Sequence, residues 1–128
     1  MIIGDGMGPQ QIGLLLAYAK QAPNSVITDG TTAFDRIAAN GRMGLSMTHA
    51  NNNLVVDSAA SATQLATGQS AGAEMIGVDK DGNSAESILE KAKKLGKSTG
   101  LVSDTRITHA TPAGFAAHQR HRNSGICQ

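Results

Sequence analysis

The feature that most constrains this chain is the alternation of short apolar runs with helix-like segments. The apolar runs predict four buried strands, at residues 1–4, 43–47, 54–57 and 98–103. Strands separated by helices favour an α/β fold in which a predominantly parallel sheet is flanked by helices. Functional sites in such sheets lie beyond the carboxyl ends of the strands, so polar residues at those ends are the first candidates for chemistry.

Helix signals fill the stretches between these runs. Pro9 suits a first helical position, and an apolar face follows it. Asn83 with Glu86 three residues later is a capping-box pattern, and Gly96 is a helix-ending residue. The predicted helices cover residues 9–22, 32–39, 57–68, 85–95 and 112–122.

Composition supports a globular chain and gives no sign of a nucleic-acid or membrane partner. Hydrophobic residues make up 40% of the 128 residues and aromatics only 2%, so we expect a close-packed aliphatic core. The net charge of +1 is too small to favour nucleic acid or an anionic membrane surface. A single cysteine, Cys127, excludes an internal disulfide, and no apolar run reaches transmembrane length.

Both ends of the sequence suggest that it is a fragment. Met1 leads directly into an apolar strand, without the basic region or cleavage site of a signal peptide. The other end stops at Gln128 without a terminating element. We therefore expect residues 1–128 to be part of a longer chain.

The first candidate site is the glycine-rich turn around Asp5. Flanking glycines would let a cation approach this carboxylate closely at the end of the first strand. The same pattern is also typical of a simple glycine-rich turn. It matches neither the G-x-G-x-x-G fingerprint nor a P-loop, because no lysine follows.

The second candidate site is Asp57-Ser58, where a predicted strand turns into a helix. A serine at a helix N-terminus lies near free backbone N–H groups and the positive end of the helix dipole, which suits a nucleophile that receives an anionic group. Alternatively, Asp57 is only an N-cap and Ser58 a small helical residue. The G-x-S-x-G elbow of α/β-hydrolases is absent.

The third candidate segment runs from Thr108 to Arg122. His109 and Thr111 could face one site from an extended segment, and an arginine such as Arg122 is a natural bidentate partner for phosphate. The alternative is that Thr108 or Thr111 caps the following helix. We expect the neighbouring basic residues to form a solvated helix end: His118, Arg120 and His121.

Taken together and in this order, the three segments resemble the alkaline phosphatase family. The matching stretches are residues 2–8, 56–63 and 108–122, and the resemblance covers the chain to about Asn123. It implies an alkaline-phosphatase-like three-layer sandwich, with residues 1–128 as the N-terminal fragment of a single catalytic domain. The run from Asp57 to Thr63 favours phosphatases over sulfatases and cofactor-independent phosphoglycerate mutases of the same superfamily.

The resemblance also implies a role for each candidate residue. Ser58 would be the nucleophile, bound to zinc as an alkoxide, and Asp57 would orient Arg122, which would hold the phosphate. Asp5 would bridge the second zinc and a third metal site, where Thr111 is a ligand and His109 lies beside it. Some members have aspartate at the position of His109, so the third metal here is magnesium or zinc. The implied cofactors are two Zn²⁺ and one Mg²⁺, the latter replaceable by Zn²⁺.

The resemblance further implies hydrolysis of small phosphomonoesters through a phosphoserine intermediate. It implies a periplasmic or extracellular homodimer for the full-length protein. The remaining metal ligands belong to the C-terminal half in this family, so we expect residues 1–128 alone to be inactive. Two alternatives remain: a non-catalytic α/β anion-binding module, and a phosphodiesterase or sulfatase of the same superfamily.

Overall fold

A computed structural model describes residues 1–24 and 26–124. Cys127 lies outside the described residues. The described part contains five α-helices, numbered here in chain order: α1 Pro9–Gln21, α2 Ala33–Asn40, α3 Ser58–Thr67, α4 Ile88–Lys94 and α5 Ala110–Ala113. The chain divides into two compact units, Met1–Ser46 and Met47–Gln128.

The first unit contains two helices whose starts were predictable from local sequence. Pro9 is the first residue of α1, and the Gln11 side chain accepts a hydrogen bond from the Gly8 N–H at 2.9 Å. Thr32 caps α2: its hydroxyl accepts from the Asp35 N–H at 3.0 Å, and the Asp35 carboxylate accepts from the Thr32 N–H at 2.8 Å. Such reciprocal bonds satisfy two amides that would otherwise lack partners.

The second unit is built around α3, which packs against both α5 and α4. Its core consists mostly of alanine, with one aromatic side chain, Phe115, against Ala62 and Ala66. Small side chains let α3 and α5 approach closely, so that a Cβ added at Gly114 would lie 2.9 Å from Ala62 Cβ. The expected aliphatic core is found in this unit, with Phe115 as the aromatic exception among the described residues.

The predicted strands are not formed as strands in the described residues. The pairing seen there is limited to three isolated antiparallel bridges: Ala50 with Asn53, Ile76 with Gln119, and Val78 with Ser84. A strand needs a neighbouring chain to satisfy its backbone N–H and C=O groups, and the four apolar runs lack such a neighbour here. Their side chains are correspondingly exposed: Ile2 to 96%, Leu45 to 97% and Leu54 to 91%.

Two of the predicted helices are shorter than expected. Asn83 does not cap a helix, because its N–H binds the Asp79 carboxylate in a tight turn, at 2.8 Å. Helix α4 begins instead after Ser87, whose hydroxyl accepts from the Glu90 N–H at 3.2 Å. Pro112 is the third residue of α5 rather than its first, and α5 ends at Ala113 instead of continuing to residue 122.

Candidate active site at the N-terminus of helix α3

Helix α3 begins at Ser58 because Asp57 caps it. The Asp57 carboxylate accepts hydrogen bonds from the Ala59 N–H at 2.9 Å and from the Ala60 N–H at 3.4 Å. Ala59 and Ala60 are fully buried, whereas Ser58 is partly exposed. The cap therefore anchors the helix start in the core and leaves the Ser58 side chain accessible at the positive end of the helix dipole.

Asp57 has two further partners outside its own helix. Its Oδ1 accepts from the Glu74 N–H at 2.8 Å, and its Oδ2 accepts from Arg122 Nη1 at 3.3 Å. Burial raises the pKa of Asp57, but the three backbone amides and the Arg122 charge outweigh burial, so that the pKa lies below its ordinary value. Asp57 is therefore a carboxylate at neutral pH.

Arg122 links this carboxylate to the Ser58 hydroxyl. Its Nη1 donates to Ser58 Oγ at 3.0 Å as well as to Asp57 Oδ2. Side chains of Asp57 and Arg122 are each 23% exposed, which leaves them partly shielded from water yet reachable. The structure thus brings together three of the predicted site residues, although they are separated by up to 65 positions in the chain.

The segment that carries Arg122 is fixed by an extended pairing and not by a helix. Ile76 and Gln119 exchange two backbone hydrogen bonds, of 2.9 and 2.7 Å, and the Arg122 N–H donates to the Glu74 carbonyl at 2.7 Å. The buried Thr63 hydroxyl of α3 donates to the Met75 carbonyl at 3.1 Å and accepts from the Gly77 N–H at 2.8 Å. This pairing explains why α5 is short: a helix to residue 122 would break it.

The remaining candidates occupy other places. His109 is the residue before α5, where its side chain makes no capping bond, and Thr111 lies in the first turn of that helix. Both are partly buried. Asp5 lies in the first unit, in a turn closed by a bond from the Met7 N–H to the Gly4 carbonyl at 3.1 Å, and it is exposed.

The donor chemistry in this structure does not amount to a metal centre. Within residues 1–24 and 26–124, no three or more His, Cys, Asp or Glu side chains gather closely enough to hold a metal ion. Catalytic zinc sites usually have three protein ligands. The described residues therefore do not supply a complete set of ligands for the zinc and magnesium sites that the family resemblance implies.

Sequence reasoning missed Glu74 and misjudged His118. Glu74 touches both Asp57 and Arg122 through its backbone, and no pattern in the sequence marks it. His118 and His121 were expected at a solvated helix end. The segment is not helical, and His118 is partly buried, where it binds the Gly77 carbonyl through Nδ1 and Glu90 through Nε2. His121 is exposed as expected, with Nε2 2.5 Å from the Glu74 carboxylate.

A serine hydroxyl and an arginine guanidinium held together at a helix N-terminus are the donor groups typical of sites for tetrahedral anions such as phosphate. The alkaline phosphatase family model matches residues 1–126. The chain belongs to the alkaline phosphatase family.

Individual relatives agree with this assignment. Alkaline phosphatase 4 of Bacillus subtilis is 42% identical over 97% of this chain and 26% of its own length. The cold-active alkaline phosphatase of a psychrophilic Shewanella has a TM-score of 0.81 and 36% identity, over 95% of this chain and 30% of its own. An alkaline-phosphatase-like fold is thereby confirmed, although the strands are missing from the described residues. The chain spans about a quarter of the length of the curated relatives it matches.

A third relative carries a metal. The structure of a histidine-to-aspartate mutant of TAB5 alkaline phosphatase, described with Mg bound in its M3 site, has a TM-score of 0.61 and 39% identity. The match covers 62% of this chain and 23% of the TAB5 chain.

In the described part of the present chain, no helix is both long and apolar enough to span a membrane.

Proposed function

We propose that this chain supplies the nucleophile and the phosphate-binding arginine of a phosphomonoester hydrolase that works through a phosphoserine. The observation that carries the proposal is the pair of contacts from Arg122 Nη1, at 3.0 Å to Ser58 Oγ and 3.3 Å to Asp57 Oδ2. Family membership supports the same activity. Small phosphomonoesters are the substrates proposed for the full-length protein.

Each residue has a role that follows from its contacts. The carboxylate of Asp57 holds the Arg122 guanidinium beside Ser58. A guanidinium carries five N–H donors in a fixed fork, which matches two non-bridging oxygens of a phosphoryl group. Attack by Ser58 Oγ forms an O–P bond as the bond to the leaving oxygen breaks. Water then hydrolyses the phosphoserine and releases inorganic phosphate.

Activation of Ser58 is the step that the described residues do not supply. The hydrogen bond seen at Ser58 Oγ comes from Arg122, which can only donate, so this contact cannot remove the serine proton. The expected cofactors of the full-length protein are two Zn²⁺ and one Mg²⁺, the Mg²⁺ replaceable by Zn²⁺. This chain would contribute the donors Asp5, Ser58, His109 and Thr111.

His109 gives a direct test of the metal proposal. Imidazole is a softer ligand than carboxylate, so His109 beside the third site favours zinc over magnesium. In the full-length protein, His109→Asp should raise the affinity for Mg²⁺, measured by calorimetry, and make activity more dependent on added Mg²⁺. The magnesium-bound histidine-to-aspartate mutant of the TAB5 enzyme supports this choice of substitution. Unchanged Mg²⁺ binding would show that His109 does not tune the site.

For the full-length protein we propose the architecture of the family. Residues 1–128 form the N-terminal part of a single catalytic domain, and their exposed apolar runs pair as strands of a three-layer sandwich. By family resemblance, the full-length protein is a homodimer located in the periplasm or outside the cell.

Purified residues 1–128 should show no turnover of a chromogenic phosphomonoester with zinc and magnesium. Turnover comparable to that of the full-length protein, and lost in Ser58→Ala, would show that residues 1–128 contain a complete active site, contrary to this proposal.

The decisive experiment is to trap the phosphoserine. Ser58→Ala in the full-length protein should abolish labelling by a radioactive phosphomonoester in an acid quench and remove most of the turnover. Ser61→Ala, in the same helix, is the matched control and should keep both. Phosphate binding without turnover in the unmodified protein would favour the anion-binding module. Faster turnover of diesters or sulfate esters would favour the other hydrolase classes.

A further inference from the structure

Glu74 has an unusual backbone for its residue type. Its φ is +62°, and it is the one non-glycine residue with positive φ in the described part of the chain. A side chain with a Cβ is disfavoured in this left-handed region, where glycine is the usual choice. Strained backbones of this kind persist when surrounding contacts fix them, and they concentrate at functional sites.

The contacts that fix Glu74 lead to both sides of the proposed active site. Its N–H donates to Asp57 Oδ1 at 2.8 Å, and its carbonyl accepts from the Arg122 N–H at 2.7 Å. One peptide segment thus connects the N-cap of α3 with the backbone of the phosphate-binding arginine. Displacement of Glu74 would therefore change the distance between the Arg122 guanidinium and Ser58.

The side chain of Glu74 adds a third contact. Its Oε2 lies 2.5 Å from His121 Nε2, and His121 Nδ1 accepts from the Asn123 N–H at 3.1 Å. Since Nδ1 accepts, Nε2 carries the ring proton and donates a hydrogen bond to the carboxylate. The neutral imidazole satisfies both bonds. Glu74 and His121 therefore fasten the residue directly before Arg122 to the segment beside Asp57.

We propose that Glu74 is a positioning residue that holds Arg122 in register with Ser58 and so sets the affinity of the site for phosphate. This inference rests on the proposed function. Glycine at this position would be unstrained, so the presence of a glutamate indicates that its side-chain contact with His121 has a role in the site. Glycine at position 74 would keep both backbone contacts and lose only the strain and the side-chain contact.

Glu74→Gly in the full-length protein separates positioning from folding. Because it relieves the left-handed strain, its Tm should stay unchanged or rise. The inhibition constant for inorganic phosphate and the KM should nevertheless rise about three- to tenfold, with a smaller change in kcat. Glu74→Gln keeps an acceptor oxygen and should stay within about twofold of the unmodified protein. Glu86→Gln, at an exposed ion pair with Lys94, is the control and should change neither value.

A double substitution tests the pairing itself. His121→Ala should reproduce the loss seen in Glu74→Gly, and the double variant should be no worse than either single one, because both remove the same contact. Additive losses, or an unchanged phosphate inhibition constant in Glu74→Gly, would overturn the positioning role. Failure of the proposed function is recognised separately, because Ser58→Ala would then keep its turnover and its phosphoenzyme.

Discussion

Each compact unit carries one candidate site aspartate, Asp57 in the second unit and Asp5 in the first, but the two side chains have very different surroundings. In the second unit, Asp57 is hydrogen bonded to three backbone amides and to Arg122, above a layer of fully buried alanines. In the first unit, Asp5 lies on an exposed turn, and the residues buried there are only Ala19 and Thr32 among those described. One motif is built into a core, and the other lies at the surface of its unit.

This difference shows which parts of a site can form within one compact unit. Capping bonds join neighbouring residues, and alanine packing joins α3 to α5 of the same unit through Ala62 and Gly114. A strand such as residues 1–4 depends instead on a partner chain for its backbone hydrogen bonds. The serine–arginine pair therefore needs only the second unit, while Asp5 needs a sheet that the described residues do not form.

The largest expected effect is the loss of Arg122. Arg122→Ala in the full-length protein should lower kcat/KM by roughly 100-fold or more, since a preorganised donor to the phosphoryl group is removed. Steady-state kinetics and phosphate inhibition measure this. Arg120→Ala, an exposed arginine of the same segment, is the matched control. An equal loss in both variants would mean that general positive charge matters, rather than the contact between Arg122 and Ser58.

A second effect tests the close packing of the second unit. Gly114→Ala places a Cβ 2.9 Å from Ala62 Cβ and 3.2 Å from the Thr63 nitrogen, so α5 must move away from α3. Such overpacking should lower the free energy of unfolding by about 2 kcal/mol, measured by denaturant titration. A neutral result would show that the two helices are not held at this distance.

A smaller effect concerns pH. Both ring nitrogens of His118 face acceptors, the Gly77 carbonyl and the Glu90 carboxylate, so the doubly protonated ring fits best. The bond to Gly77 and then that to Glu90 raise the pKa of His118 above its ordinary value. This stabilisation is complete below the ordinary histidine pKa of about 6.5 and is lost as pH rises through the folded value.

The measurement compares unfolding free energies at about pH 6 and pH 9. His118→Gln should lose the pH-dependent part of the stability. The free energy of unfolding of this variant should therefore lie further below that of the unmodified protein at pH 6 than at pH 9. Glu90→Gln removes the partner carboxylate, so its deficit in unfolding free energy should also be larger at pH 6 than at pH 9. Curves that stay parallel across this range would contradict a charged His118.

The smallest effect lies in the first unit and has the opposite sign. Gly13 is in the middle of α1, and a Cβ added there meets no atom within 4 Å. Gly13→Ala should therefore stabilise the protein by about 0.5–1 kcal/mol through helix propensity alone. Thermal unfolding measures the change in Tm, with Gly114→Ala measured in parallel for comparison. Destabilisation by Gly13→Ala would show that this face of α1 is packed in the full-length protein.

Local sequence was sufficient for the element that carries the nucleophile. The predicted helix at residues 57–68 agrees closely with α3, Ser58–Thr67, because its N-cap and its ending glycine act within a few residues. The helix predicted over residues 112–122 was wrong beyond Ala113. Its local propensity was overridden by the pairing of Gln119 with Ile76, a contact over more than forty positions.

By itself, the sequence determined the family, the start of α3 and the residues available to handle phosphate, since motif order, capping and donor chemistry are local properties. Only the tertiary structure decided that Arg122 reaches Ser58 and that Glu74 lies between them in a left-handed conformation. It also decided that His118 is partly buried between Gly77 and Glu90, and that His121, although exposed, is paired with Glu74. Those outcomes depend on hydrogen bonds between segments far apart in the chain, which no local pattern encodes.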